Sequence, residues 1–369
     1  MSKNFDVCIR GDGVVGRTLA LLLARERLRV ALVTRPAPAE APTPARDVRA
    51  YALNVASRQV LESLRTWPDA AFATPVVQMQ VHGDEGGALD FTAASVAQDA
   101  LAWIVDVPAL EQQLIQAVRY QPHIETVTEP AKAALTVICE GQKSSTREEF
   151  GVQWTVKPYP QKAVAARLDA SRPHGGIARQ WFAKGEVLGL LPMGGPAGNS
   201  LALVWSVSEA RAAELAALPA EDFCAALQQA CGDALGAFTL TSERATWPLA
   251  LSTADRWVGP GWALAGDAAH TVHPLAGQGL NLGLADASTL AGVLAAREYW
   301  RALGDEKLLR RYERARKADV ATMGAVTNGL NGLFAQNDGP LQALRNWGMN
   351  GFARSGLLKN WVTRQAAGL

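Results

Sequence analysis

The first 33 residues of the chain place the strongest constraint on its fold. The sequence predicts a short apolar strand at Phe5–Ile9, an apolar helix at Thr18–Arg25 and a second strand at Arg29–Val33. A strand, a helix and a strand in this order are typical of a βαβ unit, in which the two strands are parallel. The sequence therefore predicts an α/β protein built on a parallel sheet.

Glycines fill the connection between the first strand and the helix. Gly11, Gly13 and Gly16 have the spacing G-x-G-x-x-G, and Val14 and Val15 separate the last two. The first glycine permits a tight turn, the second lets the backbone approach a pyrophosphate, and the third lets the helix pack close to the strand. The helix N-terminus also stabilises negative charge. The motif predicts a dinucleotide site, and a glycine turn without a ligand is the alternative.

The end of the second strand lacks a residue that such a site usually has. An acidic side chain is expected there, about 20 residues after the glycines, to bind the ribose hydroxyls. Thr34 and Arg35 follow Val33 instead, and Glu40 lies further on in a proline-rich segment. Thr34 is therefore the candidate ribose contact, with one hydroxyl in place of a carboxylate.

The sequence changes character after residue 150. Four strands without intervening helices are predicted, at Ala163–Asp169, Gly176–Phe182, Val187–Leu191 and Leu201–Val207. Because only turns join them, they favour an antiparallel sheet in a layer of its own.

Three parts follow from this pattern. A discontinuous Rossmann-like domain with the parallel sheet comprises residues 1–65, 100–150 and 255–335. An inserted antiparallel-sheet domain comprises residues 66–99 and 151–254, and a C-terminal helical segment comprises residues 336–369.

Composition excludes several classes of protein. A formal net charge of +1 over 369 residues gives no sign of nucleic-acid binding. The four cysteines have no C-x-x-C spacing and the chain does not start like a secretion signal, so we expect reduced thiols in the cytoplasm. His270 and His273 are three residues apart around a turn, and no metal site is predicted from them.

The segment Ala265–Asp286 carries a second motif, AGDAAHTVHPLAGQGLNLGLAD. A carboxylate follows a strand-ending glycine, and a Gly-Gln-Gly turn precedes an apolar helix. This order suits a cofactor that needs a carboxylate for a polyol and backbone N–H groups for a phosphate or a ring carbonyl. The predicted cofactor-binding residues here are Gly266, Asp267, Pro274, Gly277, Gln278, Gly279, Leu280 and Asn281.

These motifs together resemble the FAD-dependent aromatic hydroxylases, and within them the hydroxylases of ubiquinone biosynthesis. The resemblance rests on the glycine turn, on Asp47–Leu53, on Arg172–Phe182 and on Ala265–Asp286, and it covers most of the chain. It implies FAD as the cofactor, an FAD-binding domain in the discontinuous part and a substrate domain in the inserted part.

The resemblance also implies roles for individual residues. Asp267 is expected to bind the ribityl chain, and the backbone of Gly277–Leu280 and the side chain of Arg49 to face the flavin. Glu140 and Gly141 stand where the family has an Asp-Gly pair, so they too are expected to line the cofactor site.

Departures from the family pattern cluster on the adenine–pyrophosphate half of the site. Thr34 replaces the acid, Pro108 stands where the family usually has an arginine, and Glu140 is one methylene longer than aspartate. The connection of residues 119–134 is short, which predicts that a strand pair of the family is missing. The half of the site that binds the flavin ring matches the family.

By its resemblance, the chain is expected to be a monooxygenase that hydroxylates a hydrophobic polyprenyl phenol in ubiquinone biosynthesis through a flavin hydroperoxide. NAD(P)H is the expected transient reductant, in agreement with the lack of a second G-x-G-x-x-G motif. The departures favour an alternative, a member that binds flavin weakly or not at all and acts as an accessory or scaffold protein for other ubiquinone-biosynthesis proteins. A hydroxylase or halogenase-like enzyme of secondary metabolism is the third hypothesis.

Residues of the inserted layer are candidates for an apolar substrate cavity. They are Trp181, Trp205 and Trp247, together with His174. Ordinary core positions are the alternative for the tryptophans, since large aromatic side chains dominate buried surface.

The C-terminal residues 339–369 include four basic and no acidic residues, with apolar residues at roughly helical spacing. The pattern favours equally a helix packed on the first domain and an amphipathic surface on anionic lipid. Lipid contact would place this cytoplasmic protein peripherally on the inner face of the membrane.

Overall fold

The computed structural model describes residues 4–34, 47–83, 87–183, 185–272 and 279–335, with side chains as far as Thr322. Among these residues, no helix is long and apolar enough to cross a membrane. The described α-helices are α1 (Val14–Arg25), α2 (Val55–Ser63), α3 (Val107–Arg119), α4 (Thr146–Glu149), α5 (Glu209–Ala217), α6 (Ala220–Cys231), α7 (Gly279–Ala295) and α8 (Glu306–Ala335).

The described strands, in chain order, are β1 (Phe5–Arg10), β2 (Val30–Val33), β3 (Ala50–Leu53), β4 (Ala73–Val76), β5 (Gln78–His82), β6 (Ala88–Thr92), β7 (Ala102–Asp106), β8 (Ile124–Val127), β9 (Ala133–Ile138), β10 (Trp154–Ala170), β11 (Ile177–Ala183), β12 (Glu186–Pro192), β13 (Ser200–Ser208), β14 (Phe238–Leu240), β15 (Ala245–Ala254), β16 (Val258–Gly259), β17 (Trp262–Leu264) and β18 (His270–Thr271).

Six strands form the first sheet, in the order β16-β17-β9-β1-β2-β8. Its neighbours are parallel except for β16 and β17, and Val7 of β1 pairs with Val30 of β2 and Leu135 of β9. All three side chains are fully buried, as the continuous apolar strands of a parallel sheet require. The predicted parallel sheet and the α/β class are confirmed.

Nine strands form the second sheet, in the order β18-β15-β10-β13-β12-β11-β5-β6, with β14 on β10. Its described neighbours are antiparallel except for β11 and β5. Helices α5 and α6 cover one face, where Leu203, Trp205 and Phe223 share a buried cluster. The predicted antiparallel layer is confirmed.

A three-stranded sheet, β3-β7-β4, lies between the two larger sheets. Ile104 of β7 and Val76 of β4 pack in one cluster with Ala178 and Ala202 of the nine-stranded sheet. Strands β3 and β7 come from the ranges predicted for the first domain, whereas β4 comes from the inserted range. The three-stranded sheet is therefore shared between the two parts of the chain.

The connection of residues 119–134 contains one strand, and not a pair, that the sequence reasoning did not predict. Strand β8 lies within it and pairs with β2 in parallel, with Val30 opposite Ile124. Two of the four residues of β8, Glu125 and Thr126, are polar, so the run is too short and too polar to be recognised as a sheet strand. The connection therefore completes the edge of the parallel sheet.

Pro108 also has a structural explanation. It occupies the first turn of α3, where its missing N–H group has no helical partner to lose. Asp106 caps the same helix by accepting a hydrogen bond from the Ala109 N–H at 3.3 Å. The residue at position 108 thus starts a helix.

Asn281 holds α7 against β3 and α2. Its Oδ1 accepts hydrogen bonds from the Asn54 N–H at 3.0 Å and the Ser57 hydroxyl at 2.7 Å, and its Nδ2 donates to the Ala52 carbonyl at 2.8 Å. The residue was predicted to bind the cofactor. With 5% of its surface exposed and its amide engaged by protein groups, it is instead a brace between elements.

Substitution of this brace is expected to destabilise the fold. Asn281→Ala leaves two donors and one acceptor without their partner, so the free energy of unfolding should fall by about 3 kcal/mol, as measured by urea denaturation. Asn199→Ala is the control, because the Asn199 amide donates to one carbonyl, that of Ala170 at 2.7 Å; its expected loss is about 1 kcal/mol. Equal losses in the two variants would contradict the assignment.

Candidate active site

The glycine turn between β1 and α1 leaves its backbone open to a ligand. Gly13 is the N-cap of α1 without a side-chain cap, and a Cβ placed on it would have no atom within 4 Å. At Gly11, with a φ of +111°, a Cβ would lie 2.5 Å from the Cys139 carbonyl oxygen. At Gly16 it would lie 2.0 Å from the Gly11 carbonyl oxygen. Two glycines thus allow close packing, and the third leaves space at the helix N-terminus.

Val15 brings this turn together with the second motif. A Cβ on Gly283 of α7 would lie 2.7 Å from the Val15 side chain, and one on Gly266 would lie 3.3 Å from it. Gly266 has a φ of +64°, a left-handed conformation that favours glycine. Val14, which precedes Val15 in the first turn of α1, is buried. Residues more than 250 positions apart in the sequence are therefore neighbours in the structure.

Asp267 lies in the short turn Gly266–Ala268 that follows β17. Its side chain is exposed to solvent although protein atoms crowd around it, which is the situation of a carboxylate that lines a cleft. The crowding raises the pKa of Asp267, His270 opposes the rise, and the negative charge of Asp286 adds to it. An open helix N-terminus and a carboxylate in an adjoining cleft are the groups that the pyrophosphate and the polyol of FAD require. The residues present fit this cofactor.

Arg147 supports the Asp267 turn and was missed by the sequence reasoning. Its guanidinium donates to the Ala268 carbonyl at 3.1 Å and to the Gln142 carbonyl at 2.6 Å, and it lies 3.8 Å from the centroid of the Trp154 ring. The only signal in the sequence was its position six residues after Gly141. Gly141 itself has a φ of +78° and open space around its Cα.

Glu140 is engaged by protein groups. Its carboxylate accepts hydrogen bonds from Ser144 at 2.7 Å, Thr146 at 2.9 Å and Arg10 at 3.2 Å. Burial raises the pKa of Glu140, but these hydrogen bonds and the Arg10 charge lower it by more. Glu140 is one methylene longer than aspartate, and its carboxylate therefore links β1 and β9 to residues 140–149. These contacts stand in place of the predicted direct contact with the cofactor.

Tyr51 lies near enough to Asp267 to sense its charge, and Arg49 lies beside Tyr51. Arg49 binds the Asp47 carboxylate at 2.6 Å and Glu111 at 3.4 Å, and its side chain is 44% exposed. Burial raises the pKa of Tyr51, the Arg49 charge opposes the rise, and the Asp267 charge adds to it. Tyr51 was not predicted as a site residue, although it lies two positions after Arg49 in the segment Asp47–Leu53.

Other predicted cofactor residues are only partly described. The Thr34 N–H donates to the Val127 carbonyl of β8 at 2.9 Å, which places Thr34 at the edge of the parallel sheet. Gly279 and Leu280 begin α7. Pro274, Gly277 and Gln278 lie outside the described residues, as does His273.

His174 braces a turn and does not face a substrate cavity, so its predicted role is wrong. It is 6% exposed; its Nδ1 accepts from the Gly176 N–H at 3.0 Å, and its Nε2 lies 3.0 Å from the Met193 carbonyl oxygen. The acceptor role of Nδ1 leaves the proton of the neutral ring on Nε2, which donates to Met193. Burial lowers the pKa of His174, in keeping with a neutral ring.

The predicted tryptophans lie on two different faces of the nine-stranded sheet. Trp205 is 1% exposed beneath α5 and α6 and donates to Glu186 at 2.9 Å. Trp181 pairs with Leu188 of that same helix-covered cluster and stacks on His82. Because side chains of paired strand residues share a face, both tryptophans lie on the face that α5 and α6 cover. The predictions that Trp181 and Trp205 line a substrate cavity are therefore wrong.

Trp247 lies on the opposite face. It pairs with Ala163, which alternates along β10 with the helix-facing Val164, and it is half-buried. Arg167 lies on this same face and donates to the Arg49 carbonyl at 2.7 Å and to Asp106 at 3.1 Å. Trp247 is thus on the face that turns toward β3 and β7.

Comparison with known proteins assigns the family. A family model described as an FAD binding domain matches residues 105–326, more than half of the chain. Ubiquinone hydroxylase UbiL of Rhodospirillum rubrum is 31% identical over 99% of this chain and 90% of its own length. The 3-demethoxyubiquinol 3-hydroxylase of Escherichia coli is 31% identical over 99% and 98%. The chain belongs to the FAD-dependent hydroxylases of ubiquinone biosynthesis.

Solved structures show the same fold. The p-nitrophenol 4-monooxygenase PnpA of Pseudomonas putida matches with a TM-score of 0.78 at 16% identity, over 99% of this chain and 98% of that one. PqsL of Pseudomonas aeruginosa matches with a TM-score of 0.77 at 23% identity, over 95% and 100%. The expected family is confirmed, and so is FAD as the cofactor of this aromatic-ring monooxygenase.

The raised pKa of Asp267 predicts a conflict between stability and cofactor binding. A carboxyl whose pKa is higher in the folded than in the unfolded state disfavours folding above its folded pKa and has no effect below its unfolded pKa. Asp267→Asn should therefore raise the Tm of the FAD-free protein at pH 7. This gain in Tm should vanish as the pH falls below the pKa of an ordinary aspartate. The Kd for FAD should rise about tenfold or more, because an acceptor of two hydroxyl groups is weakened.

Calorimetry across pH and FAD titration measure the two effects. Asp255→Asn is the control, since Asp255 is exposed and its carboxylate accepts from backbone N–H groups away from the cleft. An Asp267→Asn protein that is less stable at neutral pH would contradict the assignment.

Proposed function

We propose that this protein hydroxylates the aromatic ring of a polyprenyl phenol during ubiquinone biosynthesis, with NAD(P)H and O₂ as co-substrates. One oxygen atom enters the ring, the other leaves as water, and NAD(P)H supplies the two electrons. FAD, when bound, supplies the redox chemistry. The names of the two relatives support the pathway, and the face of the nine-stranded sheet supports the substrate class.

The observation that carries the substrate class is a partly exposed strip on this sheet, which is apolar in β10, β13 and β12. Val204 of β13 pairs with Ala165 of β10 and with Gly189 of β12, and Gly189 lies beside Gln180 of β11. Val204 and Gly189 are partly exposed in the middle of an otherwise buried sheet. A side chain at Gly189 would meet only the Val204 carbonyl, at 3.6 Å. Because Gly189 has no side chain, the surface of the strip lies lower at this position.

Apolar clusters flank this strip on its two sides. One contains Ile104, Met193 and Ala202, and the other contains Val81, Phe182 and Val187. An apolar, partly open surface next to a carboxylate-lined cleft suits a ligand with a polar ring and a hydrocarbon tail. The chain's own residues would exclude water from the ring and orient it toward the cofactor.

We propose that the cofactor and the substrate bind at different sheets. The turn after β1 and the Asp267 turn would hold the pyrophosphate and the ribityl chain of FAD, and the nine-stranded sheet would hold the phenol. Thr34 is proposed as a contact at the adenine end, where β2 meets β8. Residues 274–280 are proposed to face the flavin ring on the strength of the sequence motif alone.

Contacts beyond the substrate rest on the sequence. We propose that residues 339–369, which lie outside the described residues, meet the membrane in which a polyprenyl phenol resides. Contacts with other ubiquinone-biosynthesis proteins are proposed on the same basis.

Activity of the purified protein tests the main proposal. The protein should carry or take up FAD in about a 1:1 ratio, with flavin absorption bands, and should oxidise NAD(P)H faster when a prenylated phenol is added. Mass spectrometry should find a product with one added oxygen atom. A protein that takes up no FAD would contradict the proposal, and a deletion strain with normal ubiquinone would exclude this pathway.

Two tryptophans test the position of the substrate surface. Trp247→Ala should raise the KM for the phenol about tenfold, because an aromatic contact on the open face is lost. Trp181→Ala is the matched control, since Trp181 is also half-buried but lies on the helix-covered face. It should lower the Tm and leave KM unchanged. A larger KM effect at Trp181 than at Trp247 would place the substrate on the other face.

A further inference from the structure

Asp286 of α7 is a fully buried carboxylate. Its Oδ1 accepts from Arg316 Nε at 2.7 Å, and its Oδ2 accepts from the Gly266 N–H at 2.8 Å and from His270 Nε2 at 2.7 Å. Burial raises the pKa of Asp286, but His270 and Arg316 lower it by more, so the carboxylate is ionised. Both of its oxygens are engaged.

Two of these donors flank Asp267. Gly266 immediately precedes it, and His270 follows it by three positions. The His270 ring also stacks on Trp257 at a centroid distance of 4.8 Å, which fixes the orientation of the ring. One buried carboxylate therefore holds both ends of the turn from which the exposed Asp267 side chain enters the cleft.

Stability alone does not explain this arrangement. A buried ion pair is often no more stabilising than apolar residues of similar volume, because both charges lose their hydration. The contacts of Asp286 instead match what a binding site needs from the residues around it, which is a fixed orientation of the group that contacts the ligand.

We propose that Asp286 is a positioning residue for FAD, which acts through Gly266 and His270 to fix the Asp267 carboxylate against the ribityl chain. The inference rests on the proposal that Asp267 binds that chain. Arg316 balances the charge of Asp286 and, through a hydrogen bond to the Leu282 carbonyl at 3.3 Å, ties α8 to the same helix.

Asp286→Asn tests the proposal. Asparagine has nearly the same shape but offers one acceptor oxygen and no charge, so it cannot serve three donors. The Kd for FAD should rise about tenfold or more, as measured by quenching of flavin fluorescence on titration into the FAD-free protein.

Asp319→Asn is the matched control. Asp319 binds the same Arg316 at 2.6 Å, but its side chain is 64% exposed and makes none of the described contacts to the turn. Its Kd for FAD should not change. An Asp286→Asn protein with wild-type circular dichroism and a wild-type Kd would overturn the proposal.

A second pair of variants decides the question if Asp286→Asn does not fold. His270→Gln keeps an N–H donor for Asp286, whereas His270→Leu removes it, and neither touches the Arg316 pair. The leucine variant should raise the Kd about tenfold and the glutamine variant less than about threefold. An unchanged Kd in the leucine variant, or equal loss in both, would overturn the positioning role. Failure of the wild-type protein to bind FAD would instead contradict the proposed function.

Discussion

The buried carboxylate of Asp286 is the interaction on which the rest of the structure depends. Taking an ionised group out of water costs several kcal/mol, so it must be surrounded by donors. Here the donors come from the Gly266 turn, from His270 and from Arg316 of α8. The Tyr312 hydroxyl adds a bond to the Leu264 carbonyl at the end of β17. These interactions therefore hold β17, the turn that carries Asp267, and helices α7 and α8 in one relative position.

Close backbone approach is the second constraint, and glycine makes it possible. Gly11 and Gly16 let the first turn pack on β9 and on itself, and Gly283 lets α7 approach Val15. Two motifs about 250 residues apart thereby become neighbours. The result is a cleft with an open helix N-terminus and an exposed carboxylate, which is the combination that FAD requires.

The departures from the family pattern turn out to have structural partners. Glu140 reaches Ser144, Thr146 and Arg10, and Pro108 starts α3 beneath the Asp106 cap. The short connection contains β8, whose polar residues hid it from a search for apolar runs. On the described residues, these features stabilise the domain without removing the groups that we propose to bind the cofactor.

The sequence by itself determined the βαβ start, the antiparallel layer and the two cofactor motifs, because each depends on apolar periodicity or glycine spacing within a few tens of residues. Only the tertiary structure decided which face of the sheet each tryptophan occupies, since that depends on strand register: Trp247 lies on the face toward β3 and β7, whereas Trp181 and Trp205 lie on the helix-covered face. It also decided that Asn281 and His174 are braces. A polar side chain takes its role from its partners, and the partners of Asn281 lie more than 220 positions away in the chain.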